Sequence, residues 1–150
     1  MSQEPRGVEL GTSLGYLLKE ASSALRASME AVLRPLGMTV THYSCLELLA
    51  QRPGLSNSDL ARGTFVSRQS MNVLLLALER DGFVTRPDKA PVGKALPTQL
   101  TALGRSRLAS ASAAVRAVEE RMLGALDDAS RLEARRILSG FVTSLTSGDT

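Results

Sequence analysis

At 150 residues the chain suits a single domain with length enough to bury a sizeable core, and 43% hydrophobic residues argue for a packed fold rather than disorder. Aromatics are only 3% and Trp is absent, so the core must be built from Leu, Ala, Val and Met; Cys45 is the sole cysteine, which excludes an intramolecular disulfide and points to a reducing compartment. The formal charge of +3 is carried between Arg62 and Lys94, where Arg62, Arg68, Arg80, Arg86, Lys89 and Lys94 outnumber Glu79, Asp81 and Asp88; such a cluster fits an anionic partner as well as a merely solvated face.

The opening "MSQEPRGVELGTSL" lacks an apolar signal core, and no apolar run nears membrane-spanning length, so a cytoplasmic protein with no membrane partner is expected. From Glu9 to Leu33 the three-and-four spacing of Leu14, Leu17, Leu18, Ala21, Leu25, Met29 and Val32 predicts a long helix, ended by Pro35 and Gly37. Thr41 to Gln51 reads as a second helix, followed by a break at "RPG". Ser56 opens a short helix with Asp59 at capping-box spacing, and Gly63 is the expected stop. Ser67 caps the next helix, which runs to about Asp81 with Gly82 beyond it. Two short helices on a tight connection give a helix-turn-helix outline. Phe83 to Pro87 and Ala95 to Leu100 are strand candidates around the turn "DKAPVGK", with Pro97 suited only to an edge. The expected fold class is mainly α with a small β-hairpin wing. Thr101 begins a helix to about Leu126, and Ser130 with Glu133 suggests a capping box for a last helix, Leu132 to Leu145.

The helix after Ser67 changes character along its length. Met71, Leu74, Leu75 and Leu78 form a stripe to be buried, whereas the start carries Ser67, Arg68, Gln69, Ser70 and Asn72. So many polar groups cannot all be buried, for want of partners. Arg, Gln and Asn can form paired hydrogen bonds to base edges, and a recognition helix uses its N-terminal turn for bases and the remainder for packing. Leu76 falls off the core stripe, on the side of Gln69 and Asn72, where it either touches a thymine methyl or is simply exposed.

"SNSDLARGTFVSRQSMNVLLLALERDGFVTR" followed by "GKALPTQLTALGRSRL" resembles the MarR family of bacterial transcriptional regulators, through "DLA", "LERDGFVTR" and "LTALG" in their order. The resemblance covers nearly the whole chain. It implies one domain over 1–150, with residues 9–36 and 101–147 as dimerisation helices and 41–100 as the winged helix. It also implies a homodimer on a pseudo-palindromic operator in double-stranded DNA, repressing nearby genes and released by a small aromatic or phenolic ligand. The residues then expected at DNA are Ser56, Ser67, Arg68, Gln69, Ser70, Asn72, Arg86, Lys89 and Lys94. Met38, His42 and Tyr43 fall near where the family's ligand cleft lies. The family wing commonly carries Asp-x-Arg, where this chain has Val92, Gly93 and Lys94, so phosphate contact by Lys89 or Lys94 is the expectation here.

Other readings stay open at this level. Cys45, on the apolar side of its helix, is core filler or the sensor of an oxidation-controlled regulator. A winged helix can also serve protein contacts alone. An enzyme is disfavoured, since one His and one Cys give little for a nucleophile–base pair and no phosphate-binding Gly-rich loop occurs. The same scarcity argues against a metal site, and no cofactor is implied.

Overall fold

The computed structural model describes residues 7–86 and 98–147. The chain divides into two compact units, Met1–Arg116 and Ala117–Thr150.

In the first unit, α1 spans Leu14–Leu33 and starts later than Glu9, because the Ser13 hydroxyl accepts the Tyr16 N–H and fixes the start there. A 3-10 turn, Arg34–Leu36, ends on Gly37 at φ 72°. The next helix, α2 (Val40–Gln51), is capped by Thr39. Helices α3 (Asn57–Thr64) and α4 (Arg68–Arg80) follow, capped by Ser56 and Ser67. Strands β1 (Val84–Thr85) and β2 (Gln99–Leu100) pair antiparallel with Val84 opposite Leu100. The mainly helical architecture with its small hairpin is the one expected; the expected strand residues Pro87 and Ala95 to Pro97 lie outside the described set.

The core of this unit is aliphatic and sulfur-rich. Leu33, Cys45, Leu46, Leu60, Met71, Leu75, Leu78 and Val84 are buried together, with Leu74 packed against them. Each full burial of a Leu or Met side chain stabilises by about 1.5–3 kcal/mol, so the stripe of α4 is its strongest tie to the fold.

Two further sequence expectations on helix ends are corrected. Gly63 is not the stop of α3. The helix runs through it to Thr64, and Phe65 takes the left-handed turn at φ 61°. Val66 N–H then reaches back to the Ala61 carbonyl at 3.0 Å. Gly63 serves close approach instead, since a Cβ there would lie 2.6 Å from Leu48 Cδ1.

The hairpin is fastened at its base by Thr101. Its N–H donates to the Phe83 carbonyl at 3.0 Å, its hydroxyl donates to the Gly82 carbonyl at 2.6 Å, and the same oxygen accepts the Gly104 N–H at 2.9 Å. Thr101 thereby caps α5 (Ala102–Leu123) while holding the turn after α4. Gly104 lies so close to that turn that a Cβ would sit 2.1 Å from the Phe83 carbonyl oxygen.

In the second unit, α6 (Asp128–Thr146) is capped by Asp127, whose carboxylate accepts the Ser130 N–H at 2.8 Å. Here too the expectation is corrected: Ser130 sits inside the first turn, and an acidic cap upstream outcompetes the box expected of Ser130 and Glu133. Arg131 joins the two helix segments of this unit, bonding Glu120 through both carboxylate oxygens at 3.2 Å and the carbonyls of Leu123 and Leu126 at 3.3 and 3.1 Å. No residue of α6 is buried. No helix among the described residues is long and apolar enough to cross a membrane.

The two close glycines separate in their cost of substitution. Gly104→Ala drives a methyl group into backbone and is expected to lose on the order of 1–3 kcal/mol. Gly63→Ala meets only the movable end of Leu48 and gains helix propensity, so it should stay within about 1 kcal/mol of the parent. Urea midpoints measure both, and equal losses would show that the contact of α5 with the turn is not tight.

Candidate nucleic-acid interface

The site is built from α3, the turn at Phe65, and α4. At the start of α3 the Ser56 hydroxyl donates to Asp59 Oδ2 at 2.9 Å and accepts the Asp59 N–H at 3.1 Å. Asp59 is held below the usual carboxylate range, first by the Ser56 hydroxyl, then by the Ser56 N–H, with a smaller contribution from Arg62. Arg62 pairs with Asp59. Asp59 stands just outside the stretch in which the positive excess was counted, so Arg62 adds less free charge than composition implied.

At the start of α4 the Ser67 oxygen accepts the Ser70 N–H and donates to the Ser70 hydroxyl, each at 3.0 Å. These serines are thus occupied in shaping the helix end. Arg68 and Gln69 are exposed, and neither forms an ion pair or side-chain hydrogen bond among the described residues. They project beside the free N–H groups of the first turn, a setting that favours an anion. Asn72 is exposed one turn on, and its Oδ1 accepts from Asn57 Nδ2 at 3.0 Å, a bridge between the two helices. Arg86 follows β1 and is half-buried. Lys89 and Lys94, with Val92 and Gly93, lie outside the described residues.

The structure therefore brings Arg68, Gln69 and Asn72 to one exposed end of a helix whose opposite face is locked into the core. Asn57, Phe65 and Val73, not singled out from the sequence, lie on the same two helices and the turn between them. Phe65 is 94% exposed despite a left-handed backbone that costs about 1–2 kcal/mol. Its missing signal was the competing Gly63 two residues earlier.

The other candidates sit around α2. Met38 is buried in the core. His42 closes the capping box of its own helix: its Nδ1 accepts the Thr39 N–H at 3.3 Å, and its N–H donates to the Thr39 hydroxyl at 3.1 Å. Burial pushes the His42 imidazole pKa down, with the nearby charge of Asp81 opposing. Tyr43 donates to Glu47 Oε2 at 2.7 Å, and Ser112 of α5 donates to the same oxygen at 2.8 Å. Burial pushes the Glu47 carboxyl up, but hydrogen bonds from Gln51, Tyr43 and Ser112, with the charge of Arg116, outweigh it and hold the group below its usual range. Beside its local partners Tyr43 and Gln51, Glu47 binds Ser112, 65 residues away, a contact that the sequence does not reveal. A surface pocket of about 240 Å³ is lined by Tyr43, Ser44, Glu47, Leu48, Gln51 and Arg52.

No group of three or more His, Cys, Asp or Glu side chains that could hold a metal occurs among the described residues. Cys45 is fully buried, its sulfur 4.0 Å from that of Met71, and burial pushes the thiol up to about 12. Since the thiolate is the reactive form, a disulfide reagent at about pH 8 should leave the native protein unmodified and label the thiol only after denaturation. Labelling of the folded protein at the rate of a free thiol would restore the sensor reading.

A MarR family model matches residues 36–95. An HTH-type transcriptional repressor of Mycobacterium tuberculosis, Rv2887, is 43% identical over 125 residues, spanning 83% of this chain and 90% of the relative. The crystal structure of that organism's MarR family protein Rv2887 in complex with DNA superimposes with a TM-score of 0.72 at 41% identity, covering 87% of this chain and 98% of the other. Its complex with salicylic acid gives 0.71 at 42% identity, covering 87% and 96%.

Proposed function

The chain belongs to the MarR family, and on that premise we propose that it is a homodimeric, DNA-binding transcriptional repressor released by a small aromatic acid. The observation that carries this reading is the two-sided helix α4. Met71, Leu75 and Leu78 are buried while Arg68, Gln69 and Asn72 stand exposed at its leading end. That division suits a helix entering a major groove by its N-terminal turn. The relative's complex with DNA supports the same use.

Dimerisation is supported by apolar surface left open in the single chain. Leu14, Leu17 and Leu18 of α1 are exposed, as are Leu132, Ile137, Leu138, Phe141, Val142 and Leu145 of α6. Exposed runs of this extent mark interaction sites, and a second copy gives the two-fold symmetry that a pseudo-palindromic operator requires. A catalytic role finds no support. The groups with perturbed acidity, such as Cys45, His42 and Glu47, are engaged in packing, capping and bracing. A redox route through Cys45 is opposed by its burial.

Sequence readout is expected from Gln69. Gln69→Ala should cost about 1–3 kcal/mol at one base position per half-site and relax preference there, leaving the salt slope unchanged. Anisotropy titrations over duplexes varied at each position measure this, with sedimentation of the complex giving two chains per duplex. An unchanged base preference would remove α4 from the groove.

The ligand reading is supported by the relative's complex with salicylic acid and by Tyr43 on the pocket of α2. A ligand lowers DNA affinity only if it prefers a conformation that fits DNA poorly. By linkage, DNA must then weaken the ligand by the same factor, about 5–150-fold for a coupling of about 1–3 kcal/mol. Salicylate titrated calorimetrically with and without duplex should show matching factors. Binding that ignores DNA would refute ligand-controlled release.

A further inference from the structure

We infer that Val73 and Leu76 read thymine through its 5-methyl group, forming an apolar half of the recognition surface beside Gln69. This rests on the proposed use of α4 at DNA. At about 100° per residue, Gln69, Asn72, Val73 and Leu76 fall within one arc of about 100° on α4. That arc lies opposite Met71, Leu75 and Leu78, which are buried. Val73 is 65% exposed and Leu76 57% exposed, so no other part of the described chain covers them. Both are anchored on a helix whose inner face is fixed, which gives them a defined direction.

Length decides that they belong to the groove and not to its rim. A recognition helix lies in the major groove, and from Gln69 to Leu76 it rises only about 10 Å along that path. Leu76 therefore stays over base edges when Gln69 does. Arg80, on the same arc about 6 Å further along, falls where the phosphates run.

Chemistry decides what they read. Neither side chain can donate or accept a hydrogen bond, and the thymine methyl is the apolar group on the major-groove edge of the bases. The polar capacity of this strip is also partly spent, since Asn72 Oδ1 already accepts from Asn57. Gln69 is left as the free paired hydrogen-bonder of the strip, and discrimination deeper along it falls to Val73 and Leu76.

The test removes the methyl group and nothing else. Duplexes selected by the wild-type protein from a random library are remade with each thymidine replaced in turn by deoxyuridine, which pairs identically. The wild-type protein should lose about fourfold in affinity per contacted methyl, the equivalent of about 0.8 kcal/mol per buried carbon, at separate positions for Val73 and Leu76 in each half-site. Leu76→Ala should be indifferent to deoxyuridine at one of these positions and Val73→Ala at another, both keeping the wild-type salt slope and thermal stability. Two results overturn the inference while leaving DNA binding intact: a wild-type protein indifferent to every replacement, or a methyl sensitivity that survives in both variants. Failure of the library to yield any enriched duplex would instead refute DNA readout itself, and this inference with it.

Discussion

The rest of the structure depends on the burial of one stripe, Met71, Leu75 and Leu78, in the core beneath α4. Met71 meets Cys45 of α2, and the same core holds Leu60 of α3 and Val84 of β1. With the inner face fixed, the helical period fixes the outer one. Gln69 and Leu76 project outward because Met71 and Leu75 cannot. A loss of inner packing would thus blur the aim of every outward side chain, even those with no contact to the core.

Helix ends decide which polar groups remain for outside partners. Each described α-helix begins with a side-chain acceptor: Ser13, Thr39, Ser56, Ser67, Thr101 and Asp127. Such caps contribute about 1 kcal/mol each, and they also engage the hydroxyls that perform them. Ser56, Ser67 and Ser70 were expected at DNA, yet their side chains are turned to shaping α3 and α4. Arg68 and Gln69, by contrast, are exposed side chains at the tip that form no such bonds among the described residues. Thr101 extends this logic to the hairpin by tying the start of α5 to the turn after α4.

The chain leaves two kinds of apolar surface uncovered. On α6 the exposed residues extend from Leu132 to Leu145, an area suited to another protein surface. On α4 the exposed pair Val73 and Leu76 is small and bordered by Gln69, Asn72 and Arg80, a size and setting suited to single methyl groups on a polar edge. Extent and border, more than hydrophobicity itself, separate the two.

The sequence by itself determined the order of elements, the buried stripe of α4 and its polar leading end, because helical periodicity and caps are local properties. It misplaced helix ends where another residue set the boundary: Phe65 rather than Gly63, Asp127 rather than Ser130, and Ser13 rather than a start at Glu9. Only the tertiary structure decided what Gly104, Glu47 and Asn57 do. Gly104 admits the Phe83 carbonyl, Glu47 accepts from Ser112, and Asn57 donates to Asn72. The Glu47 and Asn57 contacts join residues 65 and 15 positions apart. Such pairings are set by how helices pack against one another, and spacing along a single helix carries no trace of them.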